Sequence, residues 1–214
     1  MKWFNRSVFL LKKLYPKRVW SIKTSSKVIY LTFDDGPIPE VTPWVLKMLT
    51  KYNAKATFFC IGENVEKNRG IFNQVKANGH SIGNHTYNHL NSKKNNTKNY
   101  LNNIKLFEDL KLKTNLFRPP YGNCKTSEAR QLLNRGYKII MWSVISEDYD
   151  KDVNPQQCLQ TVTSLSKAGS IIVFHDSLKA EKNLRYTLPK VLEYYSKKGF
   201  TFKALPVNAA ALKR

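Results

Sequence analysis

Two histidines lie four residues apart in the segment HTYNH, at His85 and His89. On a helical turn, side chains four positions apart face the same way, so two imidazoles at this spacing can share a metal ion. The same spacing also occurs among ordinary surface and core histidines. The pair alone therefore leaves a metal site and a structural role open.

Two adjacent aspartates, Asp34 and Asp35, follow an apolar run and enter a Gly-Pro turn. One interpretation is a turn capped by carboxylates. The other assigns the two residues different functions, because neighbours at a strand end can point apart, one toward a metal and one toward a water molecule. The turn alone does not decide between them.

In combination, Asp35, His85 and His89 supply three protein ligands and leave a further coordination position open, which is typical of catalytic sites. Two histidines and a carboxylate suit zinc, and they also accept cobalt, nickel or iron. A metal of this kind acidifies its bound water and polarises a carbonyl oxygen. Asp34 would then take the proton of the water as general base.

Two more polar residues end apolar runs, His175 after IIVF and Arg118 after Leu116-Phe117. A histidine is suited to donating a proton to a leaving nitrogen near neutral pH, although a hydrogen-bonded structural role is equally compatible with its position. Arg118 would pair with Asp34 and hold it ionised, or form an ordinary ion pair. The prolines after Arg118 have no N–H, so the next amides, at Tyr121 and Gly122, are candidates for an oxyanion site.

Strand and helix patterns alternate along the chain, and seven apolar runs predict the strands of a parallel sheet covered on its outer side. A doubly wound open sheet also satisfies the alternation. The polar residues at the strand ends favour a TIM-barrel-like α/β barrel, because strand ends converge at its mouth. The predicted strands are Val28–Phe33, Ala56–Ile61, Ser81–Gly83, Leu116–Phe117, Tyr137–Val144, Ser170–Phe174 and Phe200–Leu205.

The 214 residues suit one domain, and they include 36 basic against 15 acidic side chains, a net charge of +21. Such a balance is compatible with a solvated basic exterior, with an anionic cell-wall or membrane surface as partner, or with nucleic acid. No recognisable nucleic-acid-binding motif accompanies the lysines, so we expect no specific nucleic-acid partner. Neither an oligomeric state nor a cellular location follows from the sequence.

Residues 1–25 form a basic N-terminal segment ahead of a catalytic domain predicted over residues 26–214. The apolar run Val8–Leu11 is too short for the core of a signal peptide, and no stretch reaches the length of a membrane span. Phe4, Phe9, Leu11 and Tyr15 are compatible with one helical face. The segment therefore predicts either a short helix packed on the barrel or a helix lying on a membrane surface.

Four motifs, TFDDGP, HTYNH, RPPYG and VFHD, occur in the order and at the strand ends seen in the polysaccharide deacetylases, the NodB-homology domains of carbohydrate esterase family four. The resemblance spans about residues 26 to 205. It implies a distorted (β/α)7 barrel with a divalent metal, usually zinc. It further implies Asp35, His85 and His89 as ligands, Asp34 as base, Arg118 as the residue orienting that base, the Tyr121 amide as oxyanion donor and His175 as acid. Pro120, Tyr149 and Val173 are the residues expected to border the substrate.

The chain departs from the family pattern in its fourth motif. Ile145 stands where the family has an aspartate that tunes the pKa of the acid histidine, and Tyr149 stands where the family has a tryptophan. An apolar neighbour would lower the pKa of the acid histidine by desolvation. We predict that Asp148, which is retained, takes over this function toward His175.

The resemblance implies hydrolysis of the acetamido group of N-acetylated sugars, of peptidoglycan or chitin type, by metal-activated water. Two alternatives remain: a hydrolase of another small amide or of an acetyl ester such as acetylated xylan, and a metal-dependent carbohydrate-binding protein of low activity. Retention of Asp34 favours an enzyme, because a binding protein needs the ligands but not the base.

Overall fold

The computed structural model describes residues 3–207, with the side chains of residues 3–7 and 9 outside that description. The helices are α1 (Trp3–Leu14), α2 (Thr42–Lys51), α3 (Gly62–Lys67), α4 (Arg69–Ala77), α5 (Thr97–Asp109), α6 (Thr126–Asn134), α7 (Pro155–Leu165) and α8 (Glu181–Lys197). The strands are β1 (Val28–Asp35), β2 (Ala56–Cys60), β3 (Ser81–Asn84), β4 (Leu116–Phe117), β5 (Lys138–Ile139), β6 (Val144–Ile145), β7 (Ile171–His175) and β8 (Thr201–Phe202). Short 3-10 helices occupy Ser92–Lys94 and Pro120–Gly122.

The strands form a parallel sheet in the order β5-β4-β3-β2-β1-β7-β6, and β8 pairs with the beginning of β1. This is the predicted α/β architecture, a distorted (β/α)7 barrel. Residues before β1 bridge the two sides of the sheet: the Val19 amide donates to the Ile139 carbonyl at 2.8 Å, and the Ile22 amide donates to the Gly169 carbonyl at 2.9 Å. Part of the predicted N-terminal segment thus belongs to the barrel wall.

Two predicted strands differ in the structure. The run 137–144 does not form one strand, because its backbone changes partner along its length. Ile140 still donates to Phe117 of β4 at 2.8 Å, whereas Ser143 donates to Ile171 of β7 at 3.0 Å. The run 200–205 shrinks to β8, whose two residues pair only with Val28 and Ile29. An apolar run reports burial, and burial alone does not determine which strand is paired.

Alternation along β1 positions the site. Ile29, Leu31 and Phe33 pack into the core cluster between the sheet and the helices, and the Phe33 ring lies 5.0 Å from the Phe58 ring. Side chains two apart point to one face of a strand, so Thr32 and Asp34 share the other face. Burial of each large apolar side chain contributes about 1.5–3 kcal/mol, which fixes this register.

The helix α1 packs on the barrel through Val8, which is buried, and Leu11, which is half-buried. Both contact the second core cluster, which also holds Val19, Trp20 and Ile22. The interpretation of the N-terminal segment as a helix packed on the barrel agrees with these contacts. Phe4 and Phe9 lie outside the described side chains. Among the described helices, none combines the length and the apolar composition needed to cross a bilayer.

Candidate active site

A cavity of about 500 Å³ opens where the strands β1, β3, β4 and β7 end. Eight of the eleven predicted site residues line it: Asp34, Asp35, His85, His89, Tyr121, Tyr149, Val173 and His175. Arg118 and Asp148 are buried and contact lining residues from behind. The remaining predicted residue, Pro120, does not line the cavity, because it is buried in the 3-10 helix. Pro119 lines the cavity in its place.

Three candidate metal ligands converge at one side of this cavity. The ligand atoms of Asp35, His85 and His89 lie within 4.8 Å of one another. Asp35 Oδ1 lies 3.9 Å from His85 Nε2 and 3.5 Å from His89 Nε2. It is buried and has no hydrogen-bond partner among the described residues. A buried carboxylate oxygen left unpaired between two imidazoles is the environment that a divalent cation satisfies, so these residues fit a metal.

Both imidazoles are oriented by their other ring nitrogen. His85 Nδ1 lies 2.7 Å from the Arg118 carbonyl oxygen, and since a carbonyl only accepts, Nδ1 carries the proton and Nε2 keeps its lone pair. His89 Nδ1 lies 3.1 Å from the Tyr121 hydroxyl. Burial lowers the pKa of His85, and burial together with the nearby His85 lowers the pKa of His89 to about 4. Both rings are therefore neutral at pH 7, as metal ligands must be.

The two histidines do not sit on a helical turn, and that part of the prediction was wrong. Residues 85–89 form a loop after β3 in which Thr86 and His89 adopt left-handed backbone angles, φ 66° and 59°. The Thr86 amide donates to Asn84 Oδ1 at 2.8 Å, and the Thr86 hydroxyl accepts from the Leu90 amide at 3.1 Å. Side chains of the loop stabilise this backbone in place of helical hydrogen bonds.

Asp34 is held by a buried arginine. Arg118 Nη1 donates to Asp34 Oδ1 and to Thr32 Oγ1, each at 2.7 Å. Its other nitrogens donate to the carbonyls of Ile140 and Met141. Burial lowers the pKa of Arg118, and the charge of Asp34 opposes that effect. Removing one partner of such a pair costs about 3–5 kcal/mol because it leaves the other charge buried and uncompensated.

His175 faces Asp148 through two hydrogen bonds. Asp148 Oδ1 lies 2.8 Å from His175 Nδ1, and Asp148 Oδ2 accepts the His175 backbone N–H at 2.9 Å. Burial by itself would lower the pKa of His175, but the charge and hydrogen bond of Asp148 outweigh burial and raise the pKa to about 9. The Tyr149 ring meets the imidazole edge-on at 4.8 Å, and Ile145 lines the cavity beside it.

Of the two amides expected at the oxyanion site, the Gly122 amide is engaged: it donates to the Pro119 carbonyl at 3.0 Å. The Tyr121 amide has no acceptor within the described part of the chain. Tyr121 adopts a left-handed backbone with φ 58°. A non-glycine residue in this conformation is uncommon, and the conformation often marks a functional turn.

Four contributors to the site were missed from sequence. Asp176 accepts from the Gly36 amide at 3.1 Å and from the Thr42 hydroxyl at 2.6 Å, which anchors the turn after Asp35. Burial raises the pKa of Asp176 to about 8. Trp142 and Lys179 also line the cavity, and neither had a spacing signal. Thr32 had one, because it lies two residues before Asp34 on the same strand face.

The chain matches the family model described as polysaccharide deacetylase over residues 21–140. It is 35% identical over 203 residues to a peptidoglycan-N-acetylglucosamine deacetylase of Bacillus cereus, covering 91% of this chain and 95% of that protein. A chitooligosaccharide deacetylase of Azorhizobium caulinodans is 30% identical, covering 86% and 96%. The crystal structure of the Bc1960 peptidoglycan N-acetylglucosamine deacetylase superposes with a TM-score of 0.86 at 31% identity, covering 95% and 98%.

Proposed function

The chain belongs to the polysaccharide deacetylase family, and on that premise we propose that it is a metal-dependent hydrolase removing acetyl groups from N-acetylglucosamine units of peptidoglycan- or chitin-type glycans. The observation that carries the proposal is one cavity holding three groups at different positions: the Asp35, His85 and His89 cluster, the Arg118-paired Asp34 and the Asp148-paired His175. A binding protein would need only the first of these groups. The similarity to deacetylases of peptidoglycan and of chitooligosaccharide supports the substrate class.

Asp35, His85 and His89 would hold the metal, and zinc suits their two imidazoles and one carboxylate. When bound there, the metal supplies Lewis acidity toward the acetyl carbonyl and toward water. Cobalt, nickel and iron accept the same ligands, so they are the other candidate ions.

The protein residues divide the proton transfers of amide hydrolysis. Asp34, oriented by its hydrogen bond from Arg118, takes a proton from the attacking water as the water oxygen bonds to the carbonyl carbon. The Tyr121 amide donates to the carbonyl oxygen as negative charge develops there. His175, kept protonated by Asp148, gives its proton to the nitrogen as the C–N bond breaks. Acetate and a free amino sugar leave.

An apolar wall formed by Trp142, Ile145, Tyr149 and Val173 receives the acetyl methyl group. Apolar lining with a few polar groups at one end is typical of small-ligand sites. The wall also limits water at His175, which strengthens the electrostatic contact with Asp148.

The experiment that tests the proposal measures metal content and acetate release in parallel. The protein, reconstituted separately with each candidate metal, is assayed on acetylated oligosaccharides of both glycan types. His85→Ala/His89→Ala should lose both metal and turnover. The matched control His175→Ala should keep the metal and lose amide turnover. Undiminished metal in the double variant would eliminate the site, and no acetate from any acetylated glycan would eliminate the activity.

A further inference from the structure

A second cavity of about 500 Å³ adjoins the catalytic cavity. The two share Tyr121 and Gly122, and the Tyr121 side chain is 56% exposed between them. A glycan strand bound with one sugar in the catalytic cavity can therefore extend past Tyr121 into the second. Resting on the function proposed above, we infer that the second cavity is a subsite for a carboxylate-bearing sugar unit next to the one that is deacetylated.

The charge of the second cavity carries this inference. Arg18, Lys93 and Lys125 line it, and no acidic residue among the described residues does. These cations come from three separate parts of the chain, so their convergence is a property of the fold. A cavity lined by one sign of charge raises the local concentration of a ligand of opposite charge.

Arg18 is held ready for such a ligand. Its guanidinium lies 4.0 Å from the Tyr15 ring centroid, and Nη2 donates to the Cys124 carbonyl at 2.8 Å. A guanidinium fixed in this way loses little freedom on binding a carboxylate, which it can contact with two parallel hydrogen bonds. Lys125 is likewise held, since its Nζ donates to the Asn95 carbonyl and lies 3.9 Å from the buried Glu128 Oε1, which does not line the cavity.

Aromatic residues complete the lining. Tyr15, Trp20 and Tyr121 border the cavity together with the three cations. Aromatic and apolar surface with a few placed polar groups is what a ligand site for a sugar ring requires. Trp20 is fixed by donating from its indole nitrogen to the Tyr15 carbonyl at 3.3 Å.

The N-terminal segment builds one side of this subsite. Leu11, Tyr15, Arg18 and Trp20 all precede residue 21, where the match to the family model begins. The segment is anchored because the Val19 carbonyl accepts the Met141 amide at 2.7 Å, next to the catalytic wall. The family model therefore covers the residues around Lys93 and Lys125 on one side of this cavity but not the side that the N-terminal segment builds.

The ligand chemistry separates the two glycan types. In peptidoglycan the neighbour of each N-acetylglucosamine carries a lactyl ether, whose carboxylate is free or linked to a peptide that bears carboxylates of its own. Chitin oligomers carry no charge at this position. A cationic subsite beside the catalytic cavity therefore favours the peptidoglycan-type strand.

The test compares metal-loaded wild type with Lys93→Gln and Lys125→Gln. Lys94→Gln is the matched control, because Lys94 lies in the same 3-10 helix, is exposed and does not line the cavity. Four tetrasaccharides are used: a chitin oligomer, and peptidoglycan-type strands with free lactyl carboxylates, with lactyl amides or with attached peptides. Acetate release gives kcat/KM, and calorimetry gives Kd directly.

We expect wild type to have a higher kcat/KM for the carboxylate strands than for the lactyl amide strand. Each of the two lysine substitutions should reduce that preference by about two- to fivefold, mostly through KM, and the reduction should be smaller at high salt. Preference for the free lactyl carboxylate or for the peptide-bearing strand identifies which carboxylate binds. Equal kcat/KM and equal Kd for the carboxylate and amide strands, with all three variants alike, would overturn the subsite while leaving the deacetylase function standing. Absence of turnover on every substrate would overturn the proposed function, and calorimetry would still decide whether the cavity binds carboxylate.

Discussion

At the scale of single residues, the consecutive Asp34 and Asp35 face one cavity although neighbours in a strand point to opposite sides. The backbone of Asp35 resolves this conflict, since its φ of 86° leaves the strand conformation at the last residue of β1. Aspartate tolerates this region better than most residues. Asp34 keeps its strand geometry and its arginine partner, while Asp35 turns toward the two histidines.

We predict that Asp34→Asn removes turnover but not metal. The amide keeps the shape of the carboxylate and loses the basic oxygen, so kcat should fall by about 10²–10⁴. Metal content measured on the same preparation should stay at the wild-type value. Loss of metal together with activity would contradict the division of labour between Asp34 and Asp35.

A second residue-scale prediction concerns the pH dependence of His175. Asp148 raises the pKa of His175 to about 9, so the protonated acid persists up to that pH and is lost above it. Asp148→Asn removes the charge, and burial then lowers the pKa of His175. The alkaline limb of the pH–kcat/KM profile should move to lower pH, and activity on an acetyl ester should fall less than activity on the amide, because an alkoxide leaving group depends less on the acid.

An unchanged limb and an unchanged amide-to-ester ratio would show that Asp148 has no such function. Ser146→Ala is a useful comparison, because the Ser146 hydroxyl accepts the Asp148 backbone amide at 3.3 Å and carries no charge. A shift of the limb in both variants would indicate a displaced loop and not a lost charge.

At the scale of secondary-structure elements, Asp176 links three of them. It follows β7, its carboxylate accepts from Gly36 after β1 and from Thr42 at the beginning of α2, and its amide donates to the Asp34 carbonyl at 3.1 Å. The turn that carries both site aspartates is thereby tied to the strand that carries His175. A Cβ at Gly36 would lie 1.9 Å from Asp176 Oδ2, so only glycine fits beside this carboxylate.

Gly36→Ala should therefore destabilise the protein by about 1–3 kcal/mol and weaken metal binding, because either the turn or Asp176 must move. Denaturant unfolding and metal titration measure the two effects. Gly70→Ala is the control, since a Cβ at this helical position meets nothing within 4 Å and should be neutral or stabilising. Equal stability of the two variants would show that Asp176 moves freely.

Much of the site could be predicted from sequence because its residues end apolar strand runs, as Asp34, Arg118 and His175 do. The geometry of His85 and His89 could not, since the left-handed angles at Thr86 and His89 depend on local side-chain hydrogen bonds that no spacing shows. The run 137–144 was predicted as one strand because its residues are mostly apolar, and an apolar run does not show that the backbone changes partner along its length.

At the scale of the whole molecule, the N-terminal segment has two faces. Val8, Val19 and Trp20 lie in the core, so the described part of this segment from Val8 to Trp20 is not separable from the barrel by packing. On the outer side of α1, Leu10 and Leu14 are 63% and 68% exposed and lie one helical turn apart. Exposed leucines on a basic helix, in a chain of net charge +21, are features of a surface that contacts anionic membranes.

The final prediction is salt-sensitive attachment of the protein to anionic surfaces. Cosedimentation with phosphatidylglycerol-containing vesicles should exceed cosedimentation with phosphatidylcholine vesicles at low salt, and the difference should shrink at high salt because screening weakens attraction between exposed charges.

Substitution tests the helix better than deletion, since deleting residues 1–20 would remove Val19 and Trp20 from the core. Leu10→Ser/Leu14→Ser should weaken anionic-vesicle binding by about tenfold or more, given the apolar area that two leucines bury. Leu106→Ser on α5, whose side chain is 47% exposed, should leave it unchanged. Equal sedimentation with both kinds of vesicle would assign the basic exterior to solvation alone, whereas binding that depends on lipid charge but not on the leucines would exclude α1 from the contact.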